Sequence, residues 1–250
     1  MRTKIVAAAV CAFAFSAPAV QALDLSNMDS AERSAFRAEV RAYLMDNPEV
    51  ILEAVEALEN RNAAAQAQSD QSLIHVNAAD IFDDGFSYQG GNLDGDITLV
   101  EFTDYRCGYC RKAHDEVKKL VESDGNIRLI VKEFPILGEA SLVSSRFAVA
   151  TKQLAGDAAY VAVNDALIRL KSDPTETALL RLADTLGLDG PAILSHSESA
   201  EVTNVIRATR ELAQRLKISG TPTFVMKDEM LRGYLPLANM QALVAQKRAE

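Results

Sequence analysis

Cys107 and Cys110 stand two residues apart, directly after the apolar run Ile97-Thr98-Leu99-Val100-Glu101-Phe102 and at the head of a segment with Ala113, Val117, Leu120 and Val121 at helical spacing. A second apolar run, Ile127-Arg128-Leu129-Ile130-Val131, follows it. This order predicts strand, helix, strand, and a right-handed crossover makes the two strands parallel. The cysteine pair is thereby confined to the start of the helix. Strand signals return only at Thr223-Phe224-Val225-Met226 and at Leu231 to Leu235, with Asp228-Glu229 as the turn between them. A closing helix starts at Pro236 and buries Leu237, Met240, Leu243 and Val244.

Between these strand signals, residues 139–217 carry only helical stripes: Leu142 to Leu154, Ala158 to Leu170, Leu179 to Leu186, and Val202 to Leu216. Asp173-Pro174 reads as a helix start there and Gly187 as a stop. Gly90, Gly91, Asn92, Asp94 and Gly95 read as a turn cluster ahead of the first strand. The fold class is therefore α/β, with one domain over 71–138 and 218–250 interrupted by a helical insertion over 139–217. Residues 23–70 form a separate helical segment. Asp29 and Ser30 can cap a stripe of Phe36, Val40, Tyr43 and Leu44, and Asn47-Pro48-Glu49 restarts a helix with Val50, Ile51, Ala54, Val55 and Leu58. The Ala/Gln-rich stretch from Arg61 to Gln71 suits a helical or flexible connector. Such an amphipathic appendage either folds back on its own domain or pairs with copies of itself.

Residues 1–22 have the pattern of a cleaved export signal: Arg2 and Lys4, an apolar Ile5 to Val20, then Val20-Gln21-Ala22. Loss of Arg2 and Lys4 takes the formal net charge from −9 to −11. An acidic chain gains nothing from phosphate neutralisation, so nucleic acid is not an expected partner. Of three cysteines, at 11, 107 and 110, only the last two remain. An exported, periplasmic protein meets an oxidising compartment, where one Cys-x-x-Cys pair is better suited to redox chemistry than to stapling.

Cys107 at a helix N-terminus has free N–H groups and the macrodipole to favour its thiolate, which makes it the attacking sulfur. Cys110, one turn further in, resolves a mixed disulfide. A structural disulfide is the plain alternative, although so small a loop removes little unfolded-state entropy. His75, His114 and His196 offer no zinc spacing, while two thiolates remain a candidate Cu(I) site. Glu101, a carboxylate inside a buried run, is either a proton carrier for the deeper thiol or an ordinary strand-edge residue. Gly220-Thr221-Pro222-Thr223 is either a strand start or a cis-proline turn whose backbone pairs with an extended peptide. Arg106, Arg111 and Lys112 flank the cysteines and either further favour the thiolate or, as surface charges, merely keep the helix solvated.

Glu-Phe-Thr-Asp-Tyr-Arg-Cys-Gly-Tyr-Cys (101–110), the helical insertion and Gly-Thr-Pro-Thr (220–223) together resemble the DsbA-like thiol-disulfide oxidoreductases with a thioredoxin-like fold. The resemblance covers about residues 86–248. It implies a nucleophile at Cys107, a resolving thiol at Cys110, a buried acid at Glu101, and a cis Pro222 preceded by Thr221. Thr221, Pro222, Gly108 and Tyr109 would then meet the substrate. The central Gly108-Tyr109 and the Thr before proline are similar to DsbC-type isomerases rather than to the oxidase with Pro-His. The N-terminal appendage resembles the ScsC branch, which implies trimers and a link to copper tolerance. The expected function is disulfide isomerisation or reduction in misoxidised exported proteins, with a membrane-bound thiol reductant as partner and no cofactor beyond the redox-active pair. A dithiol oxidase and a Cu(I)-binding protein are the alternatives.

Overall fold

A computed structural model describes residues 25–249; the signal segment and Cys11 lie outside the described residues. The chain divides into a unit ending at Asn60 and a unit from Arg61 onward.

In the first unit, α1 (Ser30–Asp46) begins with a full capping box. Asp29 Oδ1 accepts from the N–H groups of Ala31 and Glu32 at 2.7 and 2.8 Å, and Glu32 Oε2 accepts from Asp29 N–H at 2.9 Å. Pro48 separates it from α2 (Glu49–Val76). Phe36, Val40 and Tyr43 on α1, and Ile51, Leu52, Val55 and Leu58 on α2, are all exposed. The Ala/Gln-rich connector is fully helical within α2. This part of α2 belongs to the second unit, where buried Asp70 accepts from both arms of the Arg232 guanidinium and Ile74 enters the core. A short α3 (Ala78–Phe82) follows.

The second unit is built on a five-stranded sheet in the order β1-β3-β2-β4-β5. Its strands are β1 (Tyr88–Gly91), β2 (Ile97–Thr103), β3 (Ile127–Glu133), β4 (Thr223–Met226) and β5 (Glu229–Arg232). β2 and β3 are parallel, with Glu101 opposite Val131 and Thr103 opposite Glu133; the remaining pairs are antiparallel. β1 replaces part of the expected turn cluster. Four residues with two glycines carry no alternation to read, yet Gly91 is required where it stands. Its φ is 70°, and a Cβ there would lie 2.3 Å from the Ile127 carbonyl oxygen.

Alternation along β2 sorts the two faces of the sheet. Ile97 and Leu99 pack with Ala113, Val117 and Leu120 of α4 (Gly108–Asp124) and with Met240 and Val244. Val100 and Phe102 pack on the opposite face with Ile74, Ile81, Leu212 and Leu216. The insertion consists of α5 (Glu139–Arg169), α6 (Glu176–Thr185), α7 (Gly190–Ser197) and α8 (Ala200–Arg215), and α9 (Leu237–Ala249) closes the fold. Two stripes of the sequence are one helix, α5, kinked at Gly156, where φ is 82°. Thr175, not Asp173-Pro174, caps α6, and α7 is too short to have shown a stripe. The β4–β5 turn is Lys227-Asp228, so the last strand begins at Glu229, two residues earlier than its leucines suggested. The insertion helices share one core with Tyr105, Cys107 and Cys110, which puts the cysteine pair where insertion and sheet meet.

Candidate active site

The turn between β2 and α4 is organised by Asp104, which is fully buried. Its Oδ1 accepts from Arg106 N–H at 2.8 Å and from the Ser141 hydroxyl at 2.7 Å. Its Oδ2 accepts from Ile136 and Leu137 N–H at 2.8 and 3.1 Å, and its carbonyl takes the Cys107 N–H. One carboxylate thus ties the cysteine turn to the β3–α5 loop and to the start of the insertion.

Cys107 is the N-cap of α4, and its sulfur accepts from Cys110 N–H at 3.4 Å. Both cysteines are free thiols in this structure. The Cys110 thiol, donating to Cys107, holds the Cys107 pKa down to about 5; burial opposes this, and the Thr221 side chain and the N–H groups of Cys110 and Tyr109 add to it. The same bond pushes Cys110 well above the usual thiol range, with burial and the charge of Glu101 acting in the same sense. At neutral pH the pair is one thiolate and one thiol.

Glu101 lies on the α4 face of β2 and is only 6% exposed. Burial pushes its pKa up to about 7; a hydrogen bond with Thr103 pulls back, and the charges of Glu133 and Cys107 push further. Glu133, on the neighbouring strand, was not anticipated. It is also buried, and its pKa also rises to about 7. Three hydroxyls hold it: Tyr105 and Tyr160 donate to Oε1 at 2.6 and 2.8 Å, and Ser145 donates to Oε2 at 2.7 Å. Lys132-Glu133 at the end of an apolar run looks like a strand leaving the core, and nothing in the sequence marks the two tyrosines as its partners. Lys132 on the opposite face is buried too, paired with Asp84.

The Thr221-Pro222 peptide bond is cis. It leads into β4 and brings the Thr221 carbonyl oxygen to 3.1 Å from Cys107 Sγ, which donates to it as a thiol. Tyr109 is 64% exposed, and its ring stacks on Tyr234 at 6.3 Å between centroids. Lys112 Nζ lies 4.2 Å from the centre of the Tyr234 ring, so its charge is engaged there. A Cβ on Gly108 would meet nothing within 4 Å, leaving the surface beside Cys107 open. The flanking arginines differ from the sequence expectation. Arg106 and Arg111 donate to the carbonyl oxygens of Leu170 and Ser172, with Nη1 of Arg106 3.0 Å from Ser172 O and Nη2 of Arg111 3.0 Å from Leu170 O. They clamp the α5–α6 connection onto the active-site helix. Among the described residues no group of three or more His, Cys, Asp or Glu is placed to hold a metal.

A family model described as DSBA-like thioredoxin domain matches residues 98–245, and one described as Copper resistance protein ScsC N-terminal domain matches residues 32–65. A thioredoxin-like oxidoreductase from Silicibacter pomeroyi is 39% identical, with a TM-score of 0.64, over 69% of this chain and 98% of that one. The thiol-disulfide exchange protein alpha-DsbA2 from Wolbachia pipientis is 25% identical with a TM-score of 0.68, covering 73% of this chain and 98% of its own. A linker-deletion mutant of ScsC from Proteus mirabilis shares the fold over 90% of this chain and 99% of its own, at 22% identity and a TM-score of 0.65. Two curated relatives, Na(+)/H(+) antiporters NhaA 3 of Salinispora tropica and NhaA 1 of Salinispora arenicola, match at 25% and 26% identity. The chain spans 24% of the length of each. No helix among the described residues is long and apolar enough to cross a membrane.

Proposed function

The chain belongs to the DsbA-like thioredoxin-domain family, and from that premise we propose that it is an exported, periplasmic thiol-disulfide oxidoreductase that isomerises or reduces misoxidised proteins through Cys107 and Cys110. The observation that carries the dithiol chemistry, shared by isomerase and oxidase, is the split of the two thiols. Cys107 is held down to about 5 at the head of α4 while buried Cys110 is pushed up. The Cys107 thiolate attacks a substrate disulfide, forming a mixed disulfide and releasing a substrate thiolate. In isomerisation a second substrate thiolate attacks the substrate sulfur of that mixed disulfide, forms a new substrate disulfide and expels Cys107 as a thiolate. When no such thiolate arrives, Glu101 takes the Cys110 proton and the Cys110 thiolate attacks Cys107 Sγ. The Cys107–Cys110 disulfide forms and the substrate leaves as a thiolate with two electrons gained. A membrane-bound thiol reductant then returns the pair to the dithiol, and no further cofactor enters the cycle.

The cis Thr221-Pro222 turn and the open ground over Gly108 and Tyr109 border Cys107 and suit an extended peptide. The exposed apolar stripes on α1 and α2 support self-association through residues 23–70, as a trimer by analogy with the ScsC branch. Several active sites around one misfolded chain raise the effective concentration of attacking thiolate. The test is reactivation of scrambled ribonuclease by the mature chain in a glutathione buffer. Reactivation supports the isomerase; oxidation of reduced ribonuclease without reactivation contradicts it.

The stabilised Cys107 thiolate favours a second reading. A stable reduced form makes the disulfide a stronger oxidant, which is the property of a dithiol oxidase. The oxidation arm of the ribonuclease experiment decides between them. A Cu(I) site on both sulfurs needs Cys110 deprotonated against its upward shift. Cu(I) titration of the parent and of Cys107→Ser tests that reading.

A further inference from the structure

α1 and α2 carry opposite charges beside their apolar stripes, and neither set is used within one chain. Arg37 and Arg41 stand four residues apart on α1, and Glu56 and Glu59 three apart on α2, so each pair shares a helix face. All four side chains are exposed, and among the described residues none of them enters an ion pair or a side-chain hydrogen bond. At about 3.6 residues per turn, Phe36, Val40 and Tyr43 form one line along α1, and Ile51, Val55 and Leu58 form its equivalent on α2. All six of these apolar residues are exposed, so neither helix of one chain covers the stripe of the other. Viewed from each helix N-terminus, the arginines lie on the same side of the first stripe as the glutamates do of the second.

We propose that in the assembled protein α1 of one copy lies antiparallel along α2 of a second copy, with Arg37 beside Glu59 and Arg41 beside Glu56 on one flank of the joined stripes. This pairing rests on self-association through residues 23–70 and specifies which surface meets which. Facing helices that run antiparallel bring the same side of their stripes together, whereas parallel helices bring opposite sides together. Antiparallel α1 on α2 therefore sets both arginines against both glutamates. The register follows from the same spacing. With Val40 opposite Leu58 and Tyr43 opposite Val55, Arg41 and Glu56 fall between these two layers. Arg37 and Glu59 fall just outside the first layer, and Leu44 meets Leu52 just outside the second.

Other pairings use these surfaces less well. Two parallel α1 helices would set Arg37 against Glu32, whose carboxylate already accepts from Asp29 N–H in the capping box, and would leave the α2 stripe uncovered. Residues 49–60 contain four glutamates and no lysine or arginine, so two α2 helices gain nothing from charge. Folding α1 back on α2 of its own chain would use the same faces, but both stripes are exposed in the single chain, which leaves them for a second copy. The mature chain is acidic, so its copies repel at long range, and the arginines of α1 give them a place where opposite charges meet. Exposed ion pairs add little affinity, so the apolar stripes supply the attraction while the charges select the face and the register. Each copy gives one α1 and receives another on its α2, a head-to-tail contact that closes as a ring.

The test follows the full mature chain, fully reduced, by sedimentation velocity over a range of concentrations. Arg37→Glu with Arg41→Glu, and Glu56→Arg with Glu59→Arg, should each weaken assembly about tenfold or more at low salt. The two double variants move the net charge in opposite directions, so an effect of overall charge would weaken one and strengthen the other. The chain with all four substitutions keeps the parent's net charge and should assemble as the parent does. Sodium chloride at about 1 M should narrow the gap between the parent and either double variant. Helix content by circular dichroism and alkylation of Cys107 should be unchanged throughout. Parent-like assembly of Glu56→Arg with Glu59→Arg would overturn the pairing, because α2 would then not be the receiving face. A fourfold variant that stays dissociated would overturn it as well. Failure of self-association itself looks different: the parent would sediment as one copy at every concentration, and the pairing would fall with it.

Discussion

Replacing Glu101 with Gln should make the protein more stable and less active. The carboxyl is buried on the α4 face of β2, and its pKa rises from the ordinary 4.5 to about 7. At about 1.4 kcal/mol for each tenfold change in proton affinity, keeping it ionised in the folded chain costs about 3 kcal/mol above neutral pH. The folded-state pKa lies above the unfolded one, so the favourable contribution is complete below about pH 4.5 and is lost as pH rises through about 7. Gln has nearly the same shape and no charge to desolvate. Glu101→Gln is therefore expected to match the parent at pH 4.5 and to exceed it by about 2–3 kcal/mol at pH 8. The repulsion from Glu133 and Cys107 is already part of that shift, behind the larger effect of burial. Urea unfolding of both proteins, fully reduced, at the two pH values reads the difference directly. Contributions from Cys107 and Glu133 that both proteins share cancel in that comparison. The same variant should slow closure by Cys110, because the thiol loses its proton acceptor. Equal pH dependence in variant and parent would mean that no charge is buried at Glu101, and the proton role built on it would fall with it.

Alkylation of Cys107 by iodoacetamide should rise with pH to a half-maximum near 5, with Cys110 unreacted throughout; a midpoint above 8 would show that the thiolate is not stabilised. Asp84→Asn strips buried Lys132 of its counter-charge and should cost about 3–5 kcal/mol in urea unfolding, whereas Asp84→Asn at a surface-like cost below about 1 kcal/mol would contradict a buried pair. Removal of residues 23–60 should lower the solution mass to that of one chain and sharply reduce scrambled-ribonuclease reactivation, with alkylation of Cys107 unchanged. A truncated chain that still assembles would separate oligomerisation from this segment.

The parallel β2–β3 pair and the cysteine at the head of α4 were legible because strand and helix periodicities change sharply at Cys107, and the thiol asymmetry follows from that placement. Glu101 stood out as a charge in an apolar run. Its partner Glu133 did not, because the hydroxyls that hold it come from Tyr105, Ser145 and Tyr160, residues that only the tertiary fold gathers. Asp104 was hidden for the same reason: its four bonds run to the turn, to the β3–α5 loop and to the start of α5. β1 escaped notice because an edge strand of Tyr-Gln-Gly-Gly has no alternation, its glycine being set by a close carbonyl instead. The arginines beside the cysteines were read by charge, while their geometry makes them clamps on the carbonyls of Leu170 and Ser172.

The central claim is that Cys107 attacks and Cys110 resolves, and trapping the mixed disulfide tests it most directly. Incubation of the reduced mature Cys110→Ala chain with scrambled ribonuclease, followed by acid quench and peptide mass mapping, should give a stable adduct linked through Cys107. Cys107→Ala should give none, and the parent should hold the adduct only transiently. An adduct formed through Cys110, or no adduct with Cys110→Ala, would contradict the assignment.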